Sequence, residues 1–158
     1  MSTLEHVQIR FADIAVNANF TRAHVLLHSA RIESNRHGIY VYSPYVEVEA
    51  DNCLIVNNTN EGVFVRADSR EVFRNCTIVG NGFGGGKAAG VHLGGANLTL
   101  ENCIVAFNRN GLQHDGDPPL LAIRFSDCHN PAGLNINWSG TSADSVIQAA
   151  NKIVHPRF

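Results

Sequence analysis

The sequence predicts an all-β protein, a solenoid of about five to six short coils followed by a C-terminal capping helix. Three observations predict this fold. A seven-residue phrase that begins Asn-Cys occurs three times, at 52–58, 75–81 and 102–108. Each copy is followed by a glycine that opens a short apolar strand, and the cysteines of successive copies lie 23 and 27 residues apart. Repeats of this length, built from short strands and turns, are typical of solenoids.

Length and composition agree with a single solenoid domain over residues 1–158, with its coils over about 4–140. Of the 158 residues, 44 % are hydrophobic and 16 % are charged, so the chain can form a core. The net charge is −2 and the basic residues are scattered, which argues against a nucleic-acid partner. No apolar run approaches the roughly 18–20 residues of a membrane span. We therefore expect neither nucleic acid nor a membrane as a partner.

The first residues of the chain do not resemble a targeting segment. Residues 1–11 alternate polar and apolar side chains, whereas a signal peptide has a continuous apolar stretch. The localisation therefore stays open between a cytoplasmic protein and a module of a longer secreted protein.

The position of the repeated cysteine serves as an anchor for extending the repeat in both directions. Each full coil contains three short strands, as in 98–100, 103–107 and 111–114, and period-two alternation sends one face of each strand inward. Equivalent strands of successive coils then stack as parallel neighbours about 4.8 Å apart. The expected anchors of the successive coils are Ala12, Ala30, Cys53, Cys76, Cys103 and Cys128.

Cysteines and asparagines form columns in this arrangement. The cysteines recur about one coil apart and not at the spacing of about two to four residues found in metal sites, so we expect buried free thiols, with disulfides as the alternative. Stacked carboxamides can hydrogen-bond along a column, and asparagine tolerates a left-handed backbone. The column at the bend before the anchor comprises Ser29, Asn52, Asn75, Asn102 and Asp127. The column that closes the anchor strand comprises Asn17, Asn35, Asn58, Asn81 and Asn108.

Residues 141–154 are predicted to form a helix. Ser142 is a suitable N-cap and Asp144 lies in the first turn. One face of this helix is apolar and would cover the strand edges of the last coil. The residues on that face are Val146, Ala149, Ala150, Ile153 and Val154.

Residues 23–138 resemble the right-handed parallel β-helix of the pectate-lyase-like group. Coils of that group often read apolar-x-apolar-x-Asn-Cys-x-Ile-x-x-Asn and then Gly-Ile-x-Val, and residues 75–81 (Asn-Cys-Thr-Ile-Val-Gly-Asn) and 38–41 (Gly-Ile-Tyr-Val) are similar to these phrases. The tail 155–158, His-Pro-Arg-Phe, resembles a phrase common in bacterial β-helix proteins. The resemblance implies a fold and not one activity, because the group includes lyases, hydrolases, epimerases, phage tailspikes and adhesins.

In the group that the chain resembles, ligands bind along the outer face of the sheet made by the glycine-led strands, here called the Gly-led sheet. Alternation predicts two outward rows on this sheet. The first row comprises Tyr40, Phe64, His92, Gln113 and Asn135. The second row comprises Tyr42, Arg66, Gly94, Asp115 and Asn137.

We expect an exposed stripe of rings, Tyr40, Phe64 and His92, flanked by charged side chains. Aromatic rings with a few polar groups suit a sugar ring or an acidic oligosaccharide. The alternatives are an ordinary solvent-exposed face and a packing surface for a loop or a second subunit. The glycine-rich segment 80–87 is expected to be an excursion beside the sheet, because a strand and not a helix follows it. The candidate ligand-binding residues are Tyr40, Tyr42, Phe64, Arg66, His92, Gln113 and Asp115.

The candidate catalytic residues are Glu61, His92 and Asp115. A glycosidase needs two carboxyl groups roughly 5–10 Å apart, and Glu61 and Asp115 are the nearest pair, although two coils separate them. For a lyase, the resemblance implies a base and acidic calcium ligands, roles that His92, Asp115 and Asp117 would fill. The sequence departs from the group at 58–60, where Asn-Thr-Asn replaces the Asn-Thr-Asp of galacturonan hydrolases. Calcium is expected only for a lyase, and no other metal or cofactor is predicted.

Three functions stay open at this point. The first is a small, non-catalytic module that binds carbohydrate or a partner protein along the outer face of the Gly-led sheet. The second is a polysaccharide lyase or glycoside hydrolase, or a fragment of one. The third is a structural module that assembles end to end. The expected partners are accordingly an oligosaccharide or a second copy of the chain.

Overall fold

The computed structural model describes residues 1–19, 22–66, 69–85, 88–95, 97–115, 121–138 and 141–142. These ranges form short strands and turns, and they contain no helix and hence no helical membrane span. The strands are β1 (Ser2–Glu5), β2 (Gln8–Arg10), β3 (Ile14–Ala18), β4 (Ala23–His28), β5 (Arg31–Glu33), β6 (His37–Val41), β7 (Val46–Asp51), β8 (Leu54–Val56), β9 (Val63–Arg66), β10 (Arg70–Arg74), β11 (Thr77–Val79), β12 (Val91–Gly94), β13 (Asn97–Glu101), β14 (Ile104–Ala106), β15 (Leu112–His114), β16 (Leu121–Arg124), β17 (Asp127–His129), β18 (Ile136–Trp138) and β19 (Thr141–Ser142).

The strands form three sheets, and each coil contributes one strand to every sheet. The first sheet has the order β1-β4-β7-β10-β13-β16, and the second has the order β2-β5-β8-β11-β14-β17. The Gly-led sheet has the order β3-β6-β9-β12-β15-β18-β19. Neighbouring strands are parallel and in register, except that β19 runs antiparallel to β18. The chain therefore winds through about five turns of a parallel β-solenoid, which confirms the predicted fold class.

The core is the stack of side chains that point into the solenoid. In β7, Val46, Val48 and Ala50 are buried, whereas the intervening Glu47 is exposed, as period-two alternation requires. Successive coils repeat the same inward position at steps of 23, 23, 23, 27 and 23 residues. One such row comprises Leu4, Leu27, Ala50, Phe73, Leu100 and Ile123.

The corner between the first and second sheets is the same in every coil. Two residues separate the strands there, as in 52–53 between β7 and β8. The first of the two has a left-handed backbone, and its φ is 54° at Asn52, Asn75 and Asn102. Asn75 Nδ2 donates to Asp51 Oδ1 at 2.8 Å, and its own Oδ1 accepts from Asn102 Nδ2 at 2.7 Å, so this column is linked along the solenoid although it is exposed.

A second column of asparagines lies buried where the chain leaves the second sheet. The backbone N and the Nδ2 of Asn58 both donate to Oδ1 of Asn81, each at 2.9 Å. Asn81 also donates from Nδ2 to the backbone oxygen of Ile55 at 3.0 Å. The carboxamides therefore satisfy each other and the turn backbone away from water. This buried ladder comprises Asn35, Asn58, Asn81, Asn108 and Asn130.

The buried ladder explains why a glycine stands at the start of the central strands β6, β9, β12 and β15 of the Gly-led sheet. A Cβ atom on Gly62 would lie 2.7 Å from the backbone oxygen of Gly90 and 2.9 Å from Nδ2 of Asn81. Only a residue without a side chain allows the chain to pass this closely between the ladder and the next coil.

Two of the expected anchors are wrong, and each error lies in an end coil. In the first coil, Val7 and not Ala12 occupies the anchor position, because Gln8 pairs with Arg31. Ala12 lies instead beside the buried ladder, where its backbone N donates to Asn35 Oδ1 at 2.9 Å. Asn17, which was expected in that column, pairs with Tyr40.

In the last coil, Cys128 is two residues beyond the anchor, because it pairs with Val105. Ser126 takes the anchor position, where its buried hydroxyl oxygen accepts a hydrogen bond from the backbone N of Cys103 at 3.0 Å. The corner residue of that coil is therefore Phe125, with φ 50°, and not Asp127. The four cysteines are buried thiols, as expected, but only Cys53, Cys76 and Cys103 share a column.

The predicted C-terminal helix is not seen in the described residues. Its first two positions, Thr141–Ser142, form the antiparallel strand β19 against β18. The remainder of the predicted helix, 143–154, and the tail 155–158 lie outside the described residues.

Candidate functional site

The predicted first outward row is continuous on the outer face of the Gly-led sheet. Tyr40 pairs with Phe64, Phe64 with His92, and His92 with Gln113. In the next strand, the register partner of Gln113 is Asn137 and not the expected Asn135. The other four residues of the row stack because each lies two places after the glycine of its strand.

The rings of Tyr40, Tyr42 and Phe64 form a stack on this face. The Tyr40 and Phe64 rings have centroids 4.7 Å apart and planes within 14°, and the Tyr42 ring is parallel to Tyr40 at 6.3 Å. Arg66 lies over the Tyr42 ring at 4.8 Å, and its Nη1 donates to the Tyr42 hydroxyl at 2.6 Å. Because Tyr40 and Phe64 cover each other's faces, they offer mainly ring edges to a ligand, while the Arg66 guanidinium is held in one place.

The prediction that the ring stripe is exposed along its whole length is wrong at His92. His92 is only 8 % exposed, and the neighbouring Gln113 is also buried. Tyr40 and Phe64 are half-buried, and Tyr42, 41 % exposed, is the outermost ring. His92 is less accessible than alternation implies because carboxylates lie on both sides of its ring.

A chain of polar contacts crosses four coils beside the rings. His37 Nδ1 lies 2.7 Å from Glu61 Oε2, and His92 Nδ1 lies 3.6 Å from Glu61 Oε1. On its other side, His92 Nε2 lies 3.1 Å from Asp115 Oδ2, while Gln113 Nε2 donates to Asp115 Oδ1 at 3.2 Å. The structure thus brings together all three candidate catalytic residues, Glu61, His92 and Asp115, around one imidazole ring.

The electrostatics of this polar chain keep Glu61 ionised. Burial raises the pKa of Glu61, but the contact with His92 and the positive charge and hydrogen bond of His37 outweigh burial, so that the pKa lies below its usual value. A half-buried carboxylate that is held between two imidazoles and has a lowered pKa is not poised to donate a proton.

Sequence reasoning missed His37 and Asn60, which complete the polar chain. Asn60 Nδ2 lies 3.3 Å from His37 Nε2. A usable signal exists, because His37 and Glu61 each directly precede the glycine of a Gly-led strand. Residues at equal offsets from the repeat must be neighbours in adjacent coils, so their opposite charges predict this contact.

The second outward row contains a gap at Gly94. Gly94 pairs with Arg66 on one side, and the backbone N of Asp115 donates to the oxygen of Leu93 on the other. The row therefore reads Tyr42, Arg66, Gly94, Asp115 across four strands. A Cβ atom added to Gly94 would have Cγ of Arg66 as its nearest atom, at 3.5 Å, which is an ordinary contact. This Gly94 notch has a cationic wall, an anionic wall and no side chain on its floor.

The described part of the glycine-rich excursion that follows β11, residues 80–85, packs on the preceding coil. Gly82 N donates to the backbone oxygen of Asn58 at 3.1 Å, and Gly84 N donates to that of Thr59. Gly80, Gly82 and Gly85 have left-handed backbones, with φ of 71°, 94° and 105°. The excursion therefore extends a corner of the solenoid, as expected for a connection that leads into a strand.

The described residues contain no group of three or more His, Cys, Asp or Glu side chains arranged to hold a metal ion. The arrangement of Glu61, His92 and Asp115 is a linear series of contacts between one imidazole and two carboxylates.

The fold and the site define a class, a three-sheeted parallel β-solenoid with a polar and aromatic outer face on the Gly-led sheet. The family model for the right handed beta helix region matches residues 2–148. The chain therefore belongs to the right-handed β-helix family, which confirms the resemblance at the level of the fold. No curated protein and no solved structure gives a significant match to the chain.

Proposed function

We propose that the protein is a non-catalytic module that binds an acidic oligosaccharide along the outer face of its Gly-led sheet. The observation that carries this proposal is the Gly94 notch, with Arg66 and Asp115 as its walls. The strands of the two walls are separated by two strand spacings, about 10 Å, which leaves room for one sugar ring between them.

The groups around the notch match the chemistry of an acidic sugar. The Arg66 guanidinium, oriented by Tyr42, can donate two parallel hydrogen bonds to a carboxylate. Asp115, which is half-buried, can accept from sugar hydroxyls on the opposite wall. The stacked rings of Tyr40 and Phe64 extend the face beyond the notch with apolar edges. Because these groups are held by the sheet, little conformational entropy is lost on binding.

The same contacts disfavour a catalytic role for His92. Its Nε2 faces Asp115 at 3.1 Å and its Nδ1 faces Glu61 at 3.6 Å, so neither ring nitrogen is open to a substrate. A general base must reach the proton that it removes with a free lone pair. A His ring between two carboxylates instead holds the Asp115 wall of the notch in position.

The experiment fills the notch without straining the backbone. Gly94→Val adds a side chain where a Cβ makes only ordinary contacts. We expect it to bind acidic oligosaccharides at least tenfold more weakly, because a blocked pocket loses the charge-assisted hydrogen bonds of its walls. A glycan array selects the ligand, calorimetry measures its affinity, and a thermal melt checks that the fold is intact. Thr77→Val, on the outer face of the second sheet, is the matched control.

Either of two binding results would overturn the proposal. If the parent binds no acidic glycan in the array, or if Gly94→Val binds the selected glycan as well as Thr77→Val does, then the notch is not a binding site. An alanine variant of the exposed ring, Tyr42→Ala, adds a second check, because it releases the Arg66 guanidinium without filling the notch.

A second candidate function, polysaccharide lyase or glycoside hydrolase, is favoured by the convergence of Glu61, His92 and Asp115. An incubation with acidic polysaccharides, read by the ultraviolet absorbance of unsaturated products and by new reducing ends, tests it. Turnover that is abolished by both Glu61→Gln and Asp115→Asn would replace the binding proposal by catalysis. Calcium enters only if turnover by elimination is found and depends on added calcium.

The third function, end-to-end assembly, has its own supporting observation. The strands β1, β2 and β3 are each at the edge of a sheet, and no strand of the described residues pairs with their outer side. Unpaired edges can template pairing with another chain. Assembly predicts a sedimentation coefficient that rises with protein concentration, whereas a monomeric binding module predicts a constant value.

A further inference from the structure

A cavity of about 420 Å³ lies on the outer face of the first sheet, away from the Gly-led sheet. It is lined by side chains at the start of β4, β7 and β10, and its volume is in the range of small-molecule sites. The polar residues that line it are Arg22, His24, Tyr45, Glu47 and Arg70.

The register of the strands makes these side chains converge. His24 pairs with Glu47, and Glu47 pairs with Arg70, so the three occupy one outward row over adjacent strands. Arg22 lies directly before β4, and its side chain lines the same cavity. Arg22 and Arg70 thus reach the cavity from β4 and β10, the two strands on either side of β7.

The two guanidinium groups at this cavity have no close partner in the protein. Neither the Arg22 nor the Arg70 side chain forms an ion pair or hydrogen bond in the described part of the chain. Other arginines do so, since Arg36 pairs with Asp13 at 2.6 Å and Arg74 with Glu101 at 3.5 Å. Glu47 forms no ion pair among the described residues either, and the neighbouring His24 contacts Glu49 at 3.1 Å.

We infer that this cavity is a second ligand site, which takes a sugar carrying a phosphate or carboxylate group. The two free guanidinium groups bind the anionic group from two sides, as arginine does in sites for planar or tetrahedral anions. The Glu47 carboxylate accepts from sugar hydroxyls, and the Tyr45 ring, 64 % exposed, covers one face of the sugar. The inference rests on the first sheet alone and is independent of the Gly94 notch.

The test uses glucose 6-phosphate and glucuronate as probes and glucose as the neutral reference. We expect saturable binding of both acidic sugars, followed by calorimetry or by the chemical shifts of the His24 ring, and none for glucose. Arg22→Ala and Arg70→Ala should each weaken binding at least tenfold, because each removes hydrogen bonds to a charged group. Both residues are exposed, so a thermal melt should show folded variants.

Two controls decide the result. Arg124→Ala removes an exposed arginine from the same sheet, outside the cavity, and should leave binding unchanged. Gly94→Val should also leave it unchanged, which separates this site from the proposed oligosaccharide site. Absence of saturable binding, equal affinity for glucose, or an equal loss in Arg124→Ala would overturn the inference.

Discussion

Glu71 is a carboxyl group inside the core of the solenoid, and replacing it by Gln should change how stability depends on pH. Its side chain is fully buried in the inward row of the first sheet, between Val48 and Leu98 on the adjacent strands. Neither of its oxygens has a hydrogen-bond partner in the described residues.

The magnitude follows from the cost of charging a buried carboxyl. Burial raises the pKa of Glu71 from 4.5 to about 8, the charge of Glu47 adds to this effect, and the Ser69 side chain opposes it. The stabilisation from the protonated group is complete below pH 4.5, falls as the pH rises, and is lost above about 8. At about 1.4 kcal/mol for each pH unit, the interval between these two values corresponds to about 5 kcal/mol. Since whole domains are stable by about 5–15 kcal/mol, the effect is large.

The assay is urea unfolding of the parent and of Glu71→Gln at a series of pH values from 4 to about 9, a range that spans both pKa values. The free energy of unfolding of the parent should fall towards alkaline pH relative to that of Glu71→Gln, which carries no titrating group at this position. Glu47→Gln is the control, because its exposed carboxylate should change the profile only slightly. Parallel profiles for the parent and Glu71→Gln would refute the reasoning, since Glu71 would then be ionised in a hydrated site.

Further predictions concern the columns of the solenoid. Asn81→Ala should cost about 3 kcal/mol in urea unfolding because it leaves buried partners unpaired, whereas Asn75→Ala, in the exposed column, should cost at most about 1 kcal/mol. Cys76→Asp should cost several kcal/mol and Cys76→Ala about 1–2 kcal/mol, and a Cys76→Asp variant that melts like the parent would contradict the inward position of this thiol. Gly62→Ala should cost about 1–3 kcal/mol because its Cβ meets the next coil, while Gly94→Ala should be nearly neutral. Equal melting temperatures for the two variants would show that the next coil shifts to accept the Cβ of residue 62.

The central coils could be read from the sequence because their corner residues are chemically distinctive. Asn52 and Cys53, or Asn75 and Cys76, mark the same two positions in each coil, and the register follows from them. The end coils carry other residues at these positions. Val7 and Ser126 fill the inward place of the thiol equally well, since it requires a small or apolar side chain, and the pattern therefore misled at Ala12 and Cys128.

The sequence predicted which residues belong to the candidate site better than it predicted how exposed their side chains are. Alternation identifies which side chains point outward, and it placed Tyr40, Phe64 and His92 correctly in one row. It does not tell how far a neighbouring long side chain closes over them, so the burial of His92 between Glu61 and Asp115 was missed. Glu71 was also overlooked, although its register with Val48 and Leu98 would have indicated a polar residue in the core.

The corners of the solenoid differ in how much change they can accept. The turn from the first sheet to the second has two residues in every coil, whereas the connection from β11 to β12, with 11 residues, is much longer than that from β5 to β6, with three. Insertions and deletions can therefore accumulate beside the Gly-led sheet without shifting the register of the core. The solenoid thus has one corner of constant length, which fixes the register of every coil, and one corner of variable length next to the proposed binding face. If the proposed binding holds, new specificities can arise there by changes in loop length alone.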